Sequence, residues 1–129
     1  MSQPKCKVLF IDDHEDTSEM LSLLLAHEDY DVMTAGSIRE AIELTKTNEF
    51  DLFVLDKHLP DGSGVDLCKQ LNELSPDVPC IFYTGDAYAV HRSEAMAAGA
   101  DAYVAKPDIE GLLSTINQFL AERQCAAAT

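Results

Sequence analysis

The sequence predicts an α/β fold, a doubly wound sheet of five parallel strands with helices on both faces. Three observations predict it. Short apolar runs alternate with helix-period segments along the whole chain. The runs are almost wholly apolar, as strands buried on both faces must be. Several also stop at a polar group: Phe10-Ile11 at Asp12-Asp13, Phe53-Val54-Leu55 at Asp56, Ile81-Phe82-Tyr83 at Thr84, and Val104-Ala105 at Lys106. In a parallel sheet those groups gather at the carboxyl edge, where α/β proteins carry their chemistry.

The elements follow in order. Lys7–Ile11 reads as the first strand. Asp16 or Thr17 can cap a helix reaching His27, with Met20, Leu21, Leu24 and Leu25 on its buried side. Asp31–Ala35 is a weaker second strand. Ser37 followed by Glu40 is a capping-box pattern that opens a helix to about Asn48. Leu52–Leu55 is the third strand. Leu59-Pro60-Asp61-Gly62-Ser63-Gly64 forms a turn into a helix with Val65, Cys68, Leu71 and Leu74 inward. Ser75-Pro76-Asp77-Val78-Pro79 links it to the fourth strand, Cys80–Tyr83. A helix from Val90 to Ala98 stops at Gly99, a good C-cap. Ala102–Ala105 is the fifth strand. Pro107 and Asp108 start a last helix with a broad apolar stripe through Leu112, Leu113, Ile116, Phe119 and Leu120. Such a series calls for right-handed crossovers with short connections.

At 129 residues the chain is expected to form one domain, over residues 5–123, with residues 124–129 as a fraying tail and no second domain after it. An apolar fraction of 47% argues against disorder, and no apolar run is long enough to span a membrane. No hydrophobic signal segment opens the chain, which favours the cytoplasm. The four cysteines are scattered without a CxxC pair and read as reduced, structural thiols. Nine basic against 23 acidic residues give a formal charge of −14, which disfavours direct nucleic-acid binding. The acids crowd between Asp12 and Asp31, where no Lys or Arg falls.

Asp12, Asp13 and Asp56 converge if the first and third strands are neighbours. Clustered carboxylates repel one another, and a bound cation relieves that cost. Mg2+ suits oxygen donors and retained waters, with Mn2+ as the alternative. Asp56 then has two possible roles. It is a third metal ligand, as in a phosphohydrolase acting on a small substrate, or it is itself a nucleophile that becomes an acyl phosphate. In the second case Lys106 pairs with phosphoryl oxygens and Thr84 donates a hydrogen bond to one of them. Every group has a task in that scheme. A hydrolase would need a specificity element beyond the core, and a non-phosphorylated interaction module would not need the full charged set. Taken singly, each Asp reads as a cap or turn residue; the weight lies in their joint placement.

Asp12-Asp13, Asp56 followed by Lys57-His58-Leu59-Pro60-Asp61-Gly62, Thr84-Gly85 and Lys106-Pro107 together resemble the receiver domain of two-component response regulators, over about Lys7 to Leu120. The resemblance implies a flavodoxin-like sheet of strand order 2-1-3-4-5 and a phosphorelay role. Asp56 accepts a phosphoryl group from a histidine kinase or histidine phosphotransfer protein. The acidic pair, Asp56 and the Lys57 backbone carbonyl hold Mg2+. Thr84 and Lys106 contact the phosphoryl oxygens in self-catalysed phosphotransfer and autodephosphorylation, with no turnover of an external substrate. Tyr103 rotates inward when Thr84 shifts, and Pro107 follows a cis peptide. The output surface is the fourth helix, fifth strand and last helix, through which the family commonly homodimerises or meets a downstream protein or fused output domain. His58 and Asp86 flank the path of an attacking water and are expected to modulate the phosphate's lifetime.

Overall fold

Two separate apolar layers, one on each face of a parallel sheet, organise the protein. The structure, a computed structural model, describes residues 5–85 and 89–123, the side chains of 89–91 excepted. Its elements are β1 (Lys7–Ile11), α1 (Glu15–His27), β2 (Asp31–Ala35), α2 (Ile38–Thr47), β3 (Leu52–Leu55), β4 (His58–Leu59), β5 (Gly62–Ser63), α3 (Gly64–Leu74), β6 (Cys80–Thr84), α4 (Ala89–Ala97), β7 (Ala102–Ala105) and α5 (Ile109–Ala121). The five long strands are all parallel, in the order β2-β1-β3-β6-β7. Setting aside the two-residue strands β4 and β5, which pair as a small antiparallel hairpin, this is the expected order 2-1-3-4-5.

Alternation along each strand sends successive side chains to opposite faces. Leu9, Ile11, Phe53, Leu55 and Phe82 meet Ala41 of α2, Leu67, Cys68 and Leu71 of α3, and Ala95 of α4. Val8, Phe10, Leu52, Val54, Ile81 and Tyr83 meet Leu21 and Leu25 of α1 and Leu112, Ile116 and Leu120 of α5. All of these side chains are essentially buried; each large one contributes about 1.5–3 kcal/mol relative to exposure. Among the described residues no helix is long and apolar enough to cross a membrane.

Several local expectations need correction. Helix α1 begins earlier than a cap at Asp16 or Thr17 would give: its N-cap is His14, whose carbonyl accepts from Ser18 N at 3.0 Å. Cap preference favours Asp and Thr over His, but here Asp12 holds the turn by accepting the His14 N–H at 2.9 Å. The buried stripe of α1 is Ser18, Leu21 and Leu25, and Met20 lies 42% exposed. Leu74, at the last position of α3, is also exposed, and the inward row there is Leu67, Cys68 and Leu71. Cys68 and Cys80 are buried free thiols; the Cys68 hydrogen bond and burial push the Cys80 thiol far above its ordinary value. Cys6, by contrast, is disulfide-bonded, because bridging depends on proximity in the fold and not on spacing in sequence.

The loop after β3 is held from two sides. Asp61 reaches across to the start of α2, where Oδ1 accepts from Ile38 N at 2.8 Å and Oδ2 from Arg39 N at 3.0 Å. Ser37 Oγ accepts from Glu40 N at 3.1 Å in the same helix start. Thus three orphan donors of α2 are satisfied, two of them by a residue 22 or more positions away. At its far end the loop closes on the Gly64 N–H, which donates to the Lys57 carbonyl at 2.7 Å. A Cβ on Gly64 would stand 2.1 Å from the Asp56 carbonyl oxygen, so only glycine allows this approach.

Two outcomes follow from this loop. Gly64→Ala lowers the urea-unfolding stability by roughly 1–3 kcal/mol, the usual cost of overpacking. The Ile38 N–H and then the Arg39 N–H hold the Asp61 carboxyl below its ordinary value. Its contribution is therefore present above the unfolded value near pH 4 and is lost as pH falls through the lower folded one. The urea midpoint of Asp61→Asn lies below that of the parent protein at neutral pH, and the gap closes in acid.

Candidate functional site

Parallel pairing decides which groups meet. Ile11 lies opposite Leu55, Leu55 opposite Phe82, and Thr84 opposite Ala105, so the ends of β1, β3, β6 and β7 share one edge. The residues just past those ends are Asp12, Asp56 and Lys106, with Thr84 closing β6. Backbone hydrogen bonds extend the ladder through them: Asp12 N to the Ala35 carbonyl at 3.0 Å, Asp56 N to that of Ile11 at 2.9 Å, and Lys106 N to that of Thr84 at 2.8 Å.

The side chains converge as the sequence predicts. Lys106 Nζ donates to Asp12 Oδ2 at 2.6 Å and to Asp56 Oδ2 at 3.1 Å. Asp12 and Asp56 are 2% and 4% exposed. An ammonium in contact with two buried carboxylates is a charge-assisted pairing of the strong kind. Burial alone would lower the Lys106 pKa, but the hydrogen bond and charge of Asp12 and the charge of Asp56 outweigh it and raise the value. The ammonium also stands 5.8 Å from the centre of the Tyr83 ring. Two carboxylates share one lysine, and the exposed Asp13 beside them adds to the excess of negative charge at the edge.

His14 was missed by sequence reasoning. Its Nδ1 lies 2.8 Å from Asp12 Oδ1, 3.3 Å from Asp13 Oδ1 and 3.9 Å from Asp56 Oδ2. The hydrogen bond to Asp12, then its charge, raises the imidazole pKa. The available signal was its position directly after the acidic pair. Asp12, Asp13, His14 and Asp56 each offer one ligand atom, and these atoms lie within 4.8 Å of one another. Such a donor set fits a divalent cation, and so does the uncompensated charge.

The remaining expected residues fall around this centre. Thr84 is 1% exposed at the end of β6. Tyr103, on β7, is half-buried with its ring stacked on Phe82, centroids 6.1 Å apart. The Lys106–Pro107 bond is cis. Lys57 is buried, and its Nζ lies 3.4 Å from Glu94 Oε2 of α4; its carbonyl is engaged by Gly64 N. His58 is exposed on β4, and its backbone N–H approaches Asp56 Oδ1 at 3.4 Å. Asp86 lies outside the described residues.

Comparison with known proteins agrees with this arrangement. The model of the response regulator receiver domain family matches residues 8–117. The DNA-binding transcriptional activator DevR/DosR of Mycobacterium tuberculosis is 39% identical over 108 residues, covering 82% of this chain and 49% of that protein. The chain thus spans about half the length of such full-length relatives. The non-phosphorylated HemR receiver domain of Leptospira biflexa superposes with a TM-score of 0.85 at 33% identity, over 93% of this chain and 98% of that one. The response regulator TrrA of Thermotoga maritima, solved in complex with Mg2+-BeF, gives 0.80 at 29% identity over 89% and 99%. With a family match over residues 8–117 and the same fold in solved receiver domains, the chain belongs to the response regulator receiver domains, the phosphoacceptor modules of two-component systems.

Proposed function

We propose that Asp56 is the phosphoacceptor and that Asp12, Asp13 and Asp56 hold Mg2+ or Mn2+ beside it. The observation that carries this reading is the Lys106 ammonium, shared between Asp12 and Asp56 at 2.6 and 3.1 Å. It holds the Asp56 carboxylate at the centre of the donor set and leaves it buried, where incoming charge is strongly felt. An Asp56 oxygen attacks the phosphorus of a phosphohistidine; an O–P bond forms, the P–N bond breaks, and the imidazole leaves with the electron pair and takes up a proton. The cation, when bound, neutralises charge on the transferring group. TrrA, solved with Mg2+-BeF, supports that choice of ion.

Lys106 then follows the phosphoryl oxygens from its place on the carboxylates, and the Thr84 hydroxyl donates to one of them. The Lys57 carbonyl already accepts from Gly64 N, so the carboxylates are the donors on which the reading rests. Added charge at Asp56 draws Thr84 toward it and lets the half-buried Tyr103 turn inward, which alters the surface of α4, β7 and α5. His58 and Asp86 tune how long the phosphoryl group persists. The phosphoryl donor is a histidine kinase or histidine phosphotransfer protein in the cytoplasm. The signal passes to a downstream protein or to a fused output domain, with contacts between protein surfaces and none between this acidic domain and nucleic acid.

Incubation with acetyl phosphate and Mg2+ yields one hydroxylamine-sensitive phosphate by mass spectrometry on the parent protein and none on Asp56→Asn. Equal labelling of both would sink the assignment. Lys106→Met strands the two carboxylates and lowers stability by roughly 1.5–3 kcal/mol, the range for hydrogen bonds to charged groups. Added Mg2+ recovers part of the loss by binding the folded state, as read from thermal melts with and without the ion.

A further inference from the structure

We infer that His14 is a nitrogen ligand of the cation site and tilts its selectivity from Mg2+ toward first-row transition ions such as Co2+ and Ni2+. The inference rests on the reading that the acids hold a divalent cation; it concerns which cation they hold best. His14 shares the loop of the acidic pair, and its ring turns toward the carboxylates although the side chain is 64% exposed.

Distances support a shared shell. Bonds of about 2.1 Å to an octahedral ion place adjacent donors about 3.0 Å apart and opposite donors about 4.2 Å apart. His14 Nδ1 stands 2.8 Å from Asp12 Oδ1, 3.3 Å from Asp13 Oδ1 and 3.9 Å from Asp56 Oδ2. The first two are adjacent-donor spacings, and the third lies close to an opposite one. Lys106 occupies Oδ2 of Asp12 and so leaves Oδ1, which His14 faces, to the cation; at Asp56 Oδ2 the ammonium and the cation share one oxygen. A cation entering between Nδ1 and Oδ1 replaces their hydrogen bond and displaces the proton they share.

Donor chemistry gives the direction. Carboxylates and water suit Mg2+, whereas imidazole adds much more to Co2+, Ni2+ and Zn2+. A site of three carboxylates gains little selectivity among divalent ions; one with an imidazole in addition discriminates. The His14 side chain makes no capping hydrogen bond to α1, so replacing it leaves the helix start intact.

Calorimetric titration of the untagged protein with Mg2+ and with Co2+ tests this, alongside His14→Gln and Asp56→Asn. His14→Gln is expected to weaken Co2+ by about tenfold or more, the scale on which ligand-shell changes act, and Mg2+ by much less. The visible absorption of bound Co2+ shifts with loss of the nitrogen donor. Asp56→Asn weakens both ions, and the other histidines, retained in every variant, contribute equally throughout. An unchanged ratio of Co2+ to Mg2+ affinity in His14→Gln overturns the inference and leaves the phosphoacceptor reading standing. Failure of the parent protein to bind either ion overturns the inference together with the cation reading on which it rests.

Discussion

One ammonium holds three strand ends together. Asp12 follows β1, Asp56 follows β3 and Lys106 follows β7, and the lysine bonds both carboxylates at once. Two buried carboxylates in contact with the same ammonium would otherwise repel each other in a medium that screens poorly. Pairing makes their burial tolerable, and burial in turn makes the pair sensitive to any further charge. The sheet supplies the alignment: its parallel register brings the four strand ends level before a side chain is placed. The chemistry is thus a property of the edge as a whole.

The loop that follows Asp56 shows how such an edge is kept in order. Asp61 fastens it to the start of α2, and Gly64 closes it against the backbone of Asp56 itself. Lys57 links the same loop to Glu94 on α4. Asp56 therefore sits in a segment fixed at both ends yet joined to two different helices. At the opposite edge Arg123 joins Asp51 Oδ1 at 3.3 Å and the Asp77 carbonyl at 2.9 Å, which ties the end of α5 to the loops beneath β3 and β6.

Much of this was legible in the sequence because burial on both faces leaves strands no freedom of pattern. β1, β2, β3 and β7 lie where their apolar runs lie, and Asp12, Asp56, Thr84 and Lys106 are conspicuous as the polar groups that end such runs. What stayed hidden depends on distance in space. His14 stands directly after the acidic pair, but that position does not say that its ring turns back onto Asp12. The Asp61 cap joins helix and loop elements that no local pattern connects. Leu74 fits a helical period, but at the last position of α3 it has run past the layer that would cover it. The bonded state of Cys6 was hidden for the same reason.

Strand β6 belongs to both apolar layers. Phe82 points into the layer beneath α3 and α4, Tyr83 into the one beneath α1 and α5, and Thr84 follows at the reactive edge. A backbone shift at Thr84 therefore pulls on neighbouring side chains packed in opposite halves of the molecule. Mechanical strain introduced at that one position is divided between the two halves, so neither face of the sheet can register the event alone.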